Sequence, residues 1–111
     1  MWITYIDKSY FLSYNTIHMK YFDWDNEKNA KLKAERDICF EEMLMAMEES
    51  GILDIVRHKN KKQYPNQKIF IVQFNNYAYL IPFVEDDEKI FLKTIIPSRQ
   101  ATKKYLFKTK K

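Results

Sequence analysis

The spacing of hydrophobic positions changes twice along the chain. Residues 21–24, Tyr-Phe-Asp-Trp, are dense in aromatic side chains and read as a short strand. From about 26 to 36 the only apolar residues are Ala30, Leu32 and Ala34, set among lysines and glutamates that favour helix. Asp25 is the expected N-cap of that helix, and Glu27 lies in its first turn, where the helix dipole favours negative charge. Asp37 is the expected cap of a second helix. There Phe40, Met43, Leu44 and Met47 fall at i, i+3, i+4 and i+7 and form one apolar face. Gly51 supplies the stop.

The pattern then becomes strand-like. ILDIVR at 52–57, KIFIVQF at 68–74, YAYLIPFV at 77–84 and KIFLKTII at 89–96 predict four strands. Asn75-Asn76 is a tight hairpin signal, because Asn tolerates positive φ. Pro82 marks a bulge or an edge position, since proline cannot donate to a ladder. The polar, basic stretch 58–67 containing Pro65 is a loop. ATKKYLF at 101–107 reads as a short final helix. The expected fold is α+β, with N-terminal helices packed on a four-stranded antiparallel sheet.

The 111 residues suit one domain with a modest core. Residues 19–107 form that domain. Residues 1–18 read as an N-terminal extension, either an upstream start or a loosely attached segment, with an edge strand at 2–6 as the alternative. Residues 108–111 form a basic tail. No apolar run approaches the roughly 20 residues that span a bilayer, and the N-terminus lacks the basic region of a signal peptide. Cys39 is the only cysteine, which provides no disulfide framework and fits a reducing, cytoplasmic setting.

The net charge of +4 conceals a segregation. Residues 23–54 hold ten acids and four bases, residues 55–84 five bases and no acid, and residues 89–111 eight bases and no acid. Two basic segments of this kind suit a polyanion, or are simply solvated faces. One glycine excludes the phosphate-binding glycine loops. His18 and His58, the only histidines, supply no metal cluster, and no metal or other cofactor is expected. What remains is a palette for phosphate chemistry. Lys61, Lys62 and Tyr64 accompany His58 in the loop, Lys93 lies on the last strand, and Arg99 to Tyr105 follow it. Arginine binds phosphate bidentately, lysine acts as a point charge, and tyrosine stacks on unpaired bases. The same groups suit attack of an RNA 2′-hydroxyl on its own phosphate, which needs a base, an acid and cations.

YFDWDNEKNAKLKAERDICFEE and IIPSRQATKKYL resemble the opening and closing segments of BrnT-type toxins, and YPNQKIFIVQFNNYAYLIPFVEDDEKIFLKTIIPSR resembles a branch of such small toxins. The resemblance covers about residues 19–106. It implies a RelE-like fold and a metal-independent endoribonuclease that inhibits translation. It also implies a cognate antitoxin, usually of ribbon-helix-helix type, that neutralises the toxin and carries the complex to operator DNA. The family's arginine in Ser-Arg-x-Ala-Thr falls on Arg99, and its basic first helix on Lys28, Lys31 and Lys33. Where relatives often have Lys-His-Gly, this chain has Glu35-Arg36-Asp37, so the missing histidine's role is absent or moved to Arg36 or His58. The expected catalytic set is Arg99, Lys93, His58 and Tyr64. The expected RNA-binding set is Lys28, Lys31, Lys61, Lys62, Lys103, Lys104 and Tyr105. Two other readings stay open: a non-catalytic co-repressor or RNA-binding module of the same fold, and a purely structural interaction domain.

Overall fold

The computed structural model describes residues 20–57, 60 and 62–107. The elements run β1 (Tyr21–Asp23), α1 (Asn26–Arg36), α2 (Phe40–Glu49), β2 (Ile52–Arg57), β3 (Lys68–Phe74), β4 (Tyr77–Glu85), β5 (Lys89–Leu92), β6 (Ile96–Pro97) and α3 (Arg99–Leu106). The fold is α+β, as its sequence pattern predicts. The sheet, however, is mixed rather than four-stranded and antiparallel. Its order is β1-β5-β4-β3-β2, with β6 on β4, and β1 runs parallel to β5. Nor are the helices confined to the N-terminal part and one face.

Strand alternation explains the layers. Phe70, Val72, Ile81, Phe83, Ile90 and Leu92 point to one face. There they bury Leu32 of α1 and Phe40, Met43, Ala46 and Met47 of α2. Ile71 and Ala78 point the other way, with Leu80 beside them, and meet Ala101 and Tyr105 of α3. A two-faced apolar sheet needs cover on both sides, and α3 supplies the second cover.

Local chemistry sets the boundaries. The Asp25 carboxylate accepts from the Glu27 and Lys28 N–H groups at the start of α1. Asp37 does not cap α2. It ends α1 in the left-handed conformation, φ 58°, its N–H donating to the Lys33 carbonyl. The N-cap of α2 is Cys39, whose N–H donates to the Glu42 carboxylate at 3.1 Å. Three residues thus turn the chain between helices. Asn75 and Asn76, at φ 53° and 62°, make the β3–β4 hairpin, and Gly51 follows α2 at φ +96°.

Pro82 lies in a central strand, opposite Ile69, and is buried. Its carbonyl accepts from the Lys93 N–H at 2.8 Å. A paired antiparallel residue would return a bond from its own N–H, which proline lacks. The neighbouring chain breaks there. Pairing runs from Val84–Phe91 to Phe83–Leu92 and resumes at Leu80–Ile96, so three steps on β4 match four on the closing chain. That extra residue is a β-bulge, and it divides the expected strand 89–96 into β5 and β6.

Candidate functional site

The Ser-Arg-x-Ala-Thr segment welds α3 to β4. Ser98 donates its N–H to the Ala78 carbonyl at 3.0 Å, and its hydroxyl accepts from the Ala101 N–H at 3.0 Å, capping α3. Thr102 is 3% exposed. Its hydroxyl accepts from the Ala78 N–H at 2.9 Å and donates to the Ser98 carbonyl at 2.7 Å. Ala101 is buried in the second core. Ser98, Ala101 and Thr102 are therefore structural. Arg99, between them, is exposed at the first position of α3, and no carboxylate among the described residues pairs with it.

Lys93 stands just before the bulge, opposite Pro82, and is exposed. The even-numbered positions of β4 face α3, so Lys93, opposite Pro82, lies on that face of the sheet. Arg36 reaches the same segment from the other side. At the last turn of α1 its Nη1 donates to the Ile95 carbonyl at 3.1 Å. Residues 93–99, a run without an acid, thus carry Lys93 and Arg99 and accept a bond from Arg36. Sequence reasoning kept Arg36 only as a possible substitute for the family histidine. The bond that places it spans 59 positions and leaves no local signal.

The other expected residues scatter. Lys28 and Lys31 are exposed on α1, and Lys103 and Lys104 on α3. Lys104 Nζ lies 5.3 Å from the centroid of the Tyr105 ring. Tyr105 itself is half-buried against the sheet, its hydroxyl donating to Asp54 at 2.5 Å. Burial, with the Asp54 carboxylate, pushes its phenol up to about 12. The ring is an anchor for α3, not an open stacking surface. Lys62 and Tyr64 are exposed in the β2–β3 loop. His58 and Lys61, like residues 1–19 and 108–111, lie outside the described residues.

Ion pairing divides the lysines and arginines into two sets. Lys33 is held by Asp37 and Glu42, both at 3.2 Å, and Lys89 by Asp23 at 3.3 Å. Lys20 bonds to Glu85, and Lys68 lies 3.6 Å from the same carboxylate. Lys28, Lys31, Lys93, Arg99, Lys103 and Lys104 have no such carboxylate among the described residues. Among the described residues no cluster of three His, Cys, Asp or Glu side chains gathers in metal-binding fashion, and no helix is long and apolar enough to cross a membrane. Comparison of the chain with family models, with curated proteins and with solved structures finds no match to any of them.

Proposed function

We propose that this protein is a RelE-like, BrnT-type toxin: a metal-independent endoribonuclease that cleaves RNA and is neutralised by a cognate antitoxin, with operator DNA reached only through that antitoxin. One observation carries the reading. Within Ser98–Thr102 the serine, alanine and threonine are consumed by the fold, while Arg99 is exposed at the helix start with no carboxylate partner among the described residues. A motif whose structural members all serve to aim one cation is an economical way to present a phosphate ligand.

The chemistry follows from RNA itself. The 2′-oxygen forms a bond to the adjacent phosphorus, its proton passes to a base, and the bond to the 5′-oxygen breaks as an acid protonates that oxygen. Arg99 and Lys93 stabilise the charge that develops on the phosphoryl oxygens. His58 and Tyr64 are the proton-transfer candidates. Lys28, Lys31, Lys61, Lys62, Lys103 and Lys104 hold the flanking backbone by charge.

A second reading, a non-catalytic RNA-binding or co-repressor module, has one observation in its favour. Glu35-Arg36-Asp37 stands where the resembled family often has Lys-His-Gly, so that histidine has no counterpart at this position.

The test is induced expression in cells lacking the neighbouring antitoxin, wild type beside Arg99→Ala, with growth and new RNA 5′ ends as readouts. Arrest with new ends in the wild type alone supports the reading. Full toxicity in Arg99→Ala removes Arg99 from the site. Growth and intact RNA in both transfer the case to the binding module.

A further inference from the structure

Tyr105 is committed to Asp54, so the ring expected to meet an unpaired base is turned into the fold. The sheet register places two other aromatic side chains on the side that carries Lys93. Val84 lies two positions beyond Pro82 on β4 and faces the α3 side, and Phe91 of β5 is its partner. In the parallel β1–β5 ladder Asp23 pairs with Phe91 and Tyr21 with Lys89, so Tyr21 shares that side. Phe22 and Ile90, the pair between them, belong to the opposite core, as alternation requires. The apolar cluster under α3 contains Ile71, Ala78 and Leu80 and, among the described residues, stops short of β5 and β1. Phe91 is therefore only half-buried, and Tyr21 is 54% exposed.

The charges around these rings are unevenly engaged. Lys89 Nζ stands 5.8 Å from the Phe91 centroid, but Asp23 holds it at 3.3 Å, so that pair brings no net charge. In the acidic turn, Glu85 takes Lys20 and Lys68, and Asp86 accepts from the Glu88 and Lys89 N–H groups. Asp87 and Glu88 stay exposed at the Tyr21 end of the patch. At the other end Lys93 is exposed and has no carboxylate among the described residues. Phosphate is thus favoured at Lys93 and opposed at the turn, whereas an uncharged base is tolerated at both ends. Aromatic rings beside an unopposed cation suit single-stranded RNA, whose splayed bases stack on them. Four strand positions, about 13 Å, separate Lys93 from the level of Tyr21. The base that reaches Tyr21 therefore flanks the phosphate held at Lys93. We infer that Tyr21 and Phe91 form the base-stacking part of the RNA site, with the base laid toward the acidic turn and the backbone kept at Lys93. This rests on the ribonuclease reading, to which it adds the seat of the flanking base.

The experiment uses the full chain and two labelled strands of equal length, oligoadenosine and an abasic ribose–phosphate strand. Both carry the same phosphates, and only one can stack. The wild type binds oligoadenosine roughly fivefold or more tightly than the abasic strand. Tyr21→Leu keeps the apolar bulk and loses the ring. It removes that preference while abasic binding and the melting temperature hold, because Tyr21 is already largely in water. Tyr21→Phe restores the preference. Lys93→Gln weakens both strands alike. An intact preference in Tyr21→Leu overturns the inference, and a loss on both strands in Lys93→Gln then leaves the phosphate reading standing. Equal binding of the two strands by the wild type overturns it as well. Binding of neither strand removes the ribonuclease reading and the stacking site together. If the wild type self-associates and Tyr21→Leu disperses it, the patch is a protein contact and the base assignment fails.

Discussion

Arg36 and Ile95, 59 positions apart, are joined by a bond from a guanidinium Nη1 to a backbone carbonyl at 3.1 Å. The carbonyl lies at the bulge where the closing chain parts from β4, and the guanidinium ends a helix that buries only Leu32. A helix with so small an apolar anchor is held by its polar contacts. Asn29 accepts from the Phe40 N–H at 2.7 Å at one end of α1, and Arg36 ties down the other.

Removing that tie has a predictable cost. A hydrogen bond from a charged donor contributes roughly 1.5–3 kcal/mol when sheltered, and the Arg36 side is exposed, so Arg36→Ala is expected to lose about 1 kcal/mol. The urea midpoint falls by the matching amount, and amide exchange quickens in α1 before it does in β3 and β4. An unchanged midpoint with unchanged exchange in α1 would mean that the bond holds nothing.

Thr102 carries a heavier structural duty, because its hydroxyl serves a buried strand amide and a helix-cap carbonyl at once. Thr102→Val keeps the shape and strands the Ala78 N–H without a partner. A buried, unsatisfied group costs about 1–3 kcal/mol, and for a domain near this size each kcal/mol is worth roughly 4–8 °C of melting temperature. Thr102→Ser, which keeps the hydroxyl, recovers most of the loss. Equal melting temperatures for the valine and serine variants would contradict the role assigned to the hydroxyl.

These roles show how far sequence reaches. The bounds of β2 and β3 match their expected ranges because β-branched and aromatic runs there are closed by turn chemistry such as Asn75-Asn76. Helix α1 is equally legible from Asp25 and its charged residues. Strand β1 is legible, but its pairing with Lys89–Phe91 is not, since three residues hold no record of a partner 68 positions away. Asp37 looked like a cap because aspartate favours caps. It also tolerates the left-handed conformation that ends a helix, and the tertiary turn chose that second property. Pro82 signalled a bulge correctly, although the extra residue lies in the neighbouring chain. At the site, Arg99 and Lys93 were named from charge and resemblance. Which members of Ser98–Thr102 are structural became visible only once Ala78 was seen to bond both Ser98 and Thr102.

Tyr105 makes a prediction about alkaline pH. Its folded phenol is raised to about 12 from the ordinary value of 10.0, by burial and by the Asp54 carboxylate that accepts its proton. A raised pKa means that the protonated form is favoured by folding. The stability from this group is therefore fully present below pH 10 and drains away as pH rises from there toward 12. Tyr105→Phe removes that loss, so its stability falls less steeply over the same interval, while below pH 10 it is the less stable of the two. Ultraviolet titration should show one fewer late-ionising tyrosine in the variant than in the wild type, because Tyr79, raised by burial, remains. Parallel stability curves above pH 10 would exclude the Asp54 contact as the cause.

The salt dependence of RNA binding separates cations that touch phosphate from cations the protein has already neutralised. Binding to a single strand releases counterions, and the logarithm of the affinity falls with the logarithm of salt by about 0.7 for each phosphate contacted. Arg99 and Lys93 have no carboxylate among the described residues to compete with phosphate, so Arg99→Gln and Lys93→Gln are each expected to lower the slope by about 0.7. Lys33 is the internal control. Asp37 and Glu42 hold it at 3.2 Å, and hydrogen bonds to these carboxylates raise its pKa, Asp37 most. Its charge already has partners, so Lys33→Gln should leave the slope nearly unchanged although it removes the same formal charge. The comparison is made with oligouridine from 50 to 300 mM salt, on variants whose melting temperatures match the wild type. Equal drops in all three variants would mean that net charge alone drives binding and that residues 93–99 form no site. No drop in any of them would take RNA off this segment altogether.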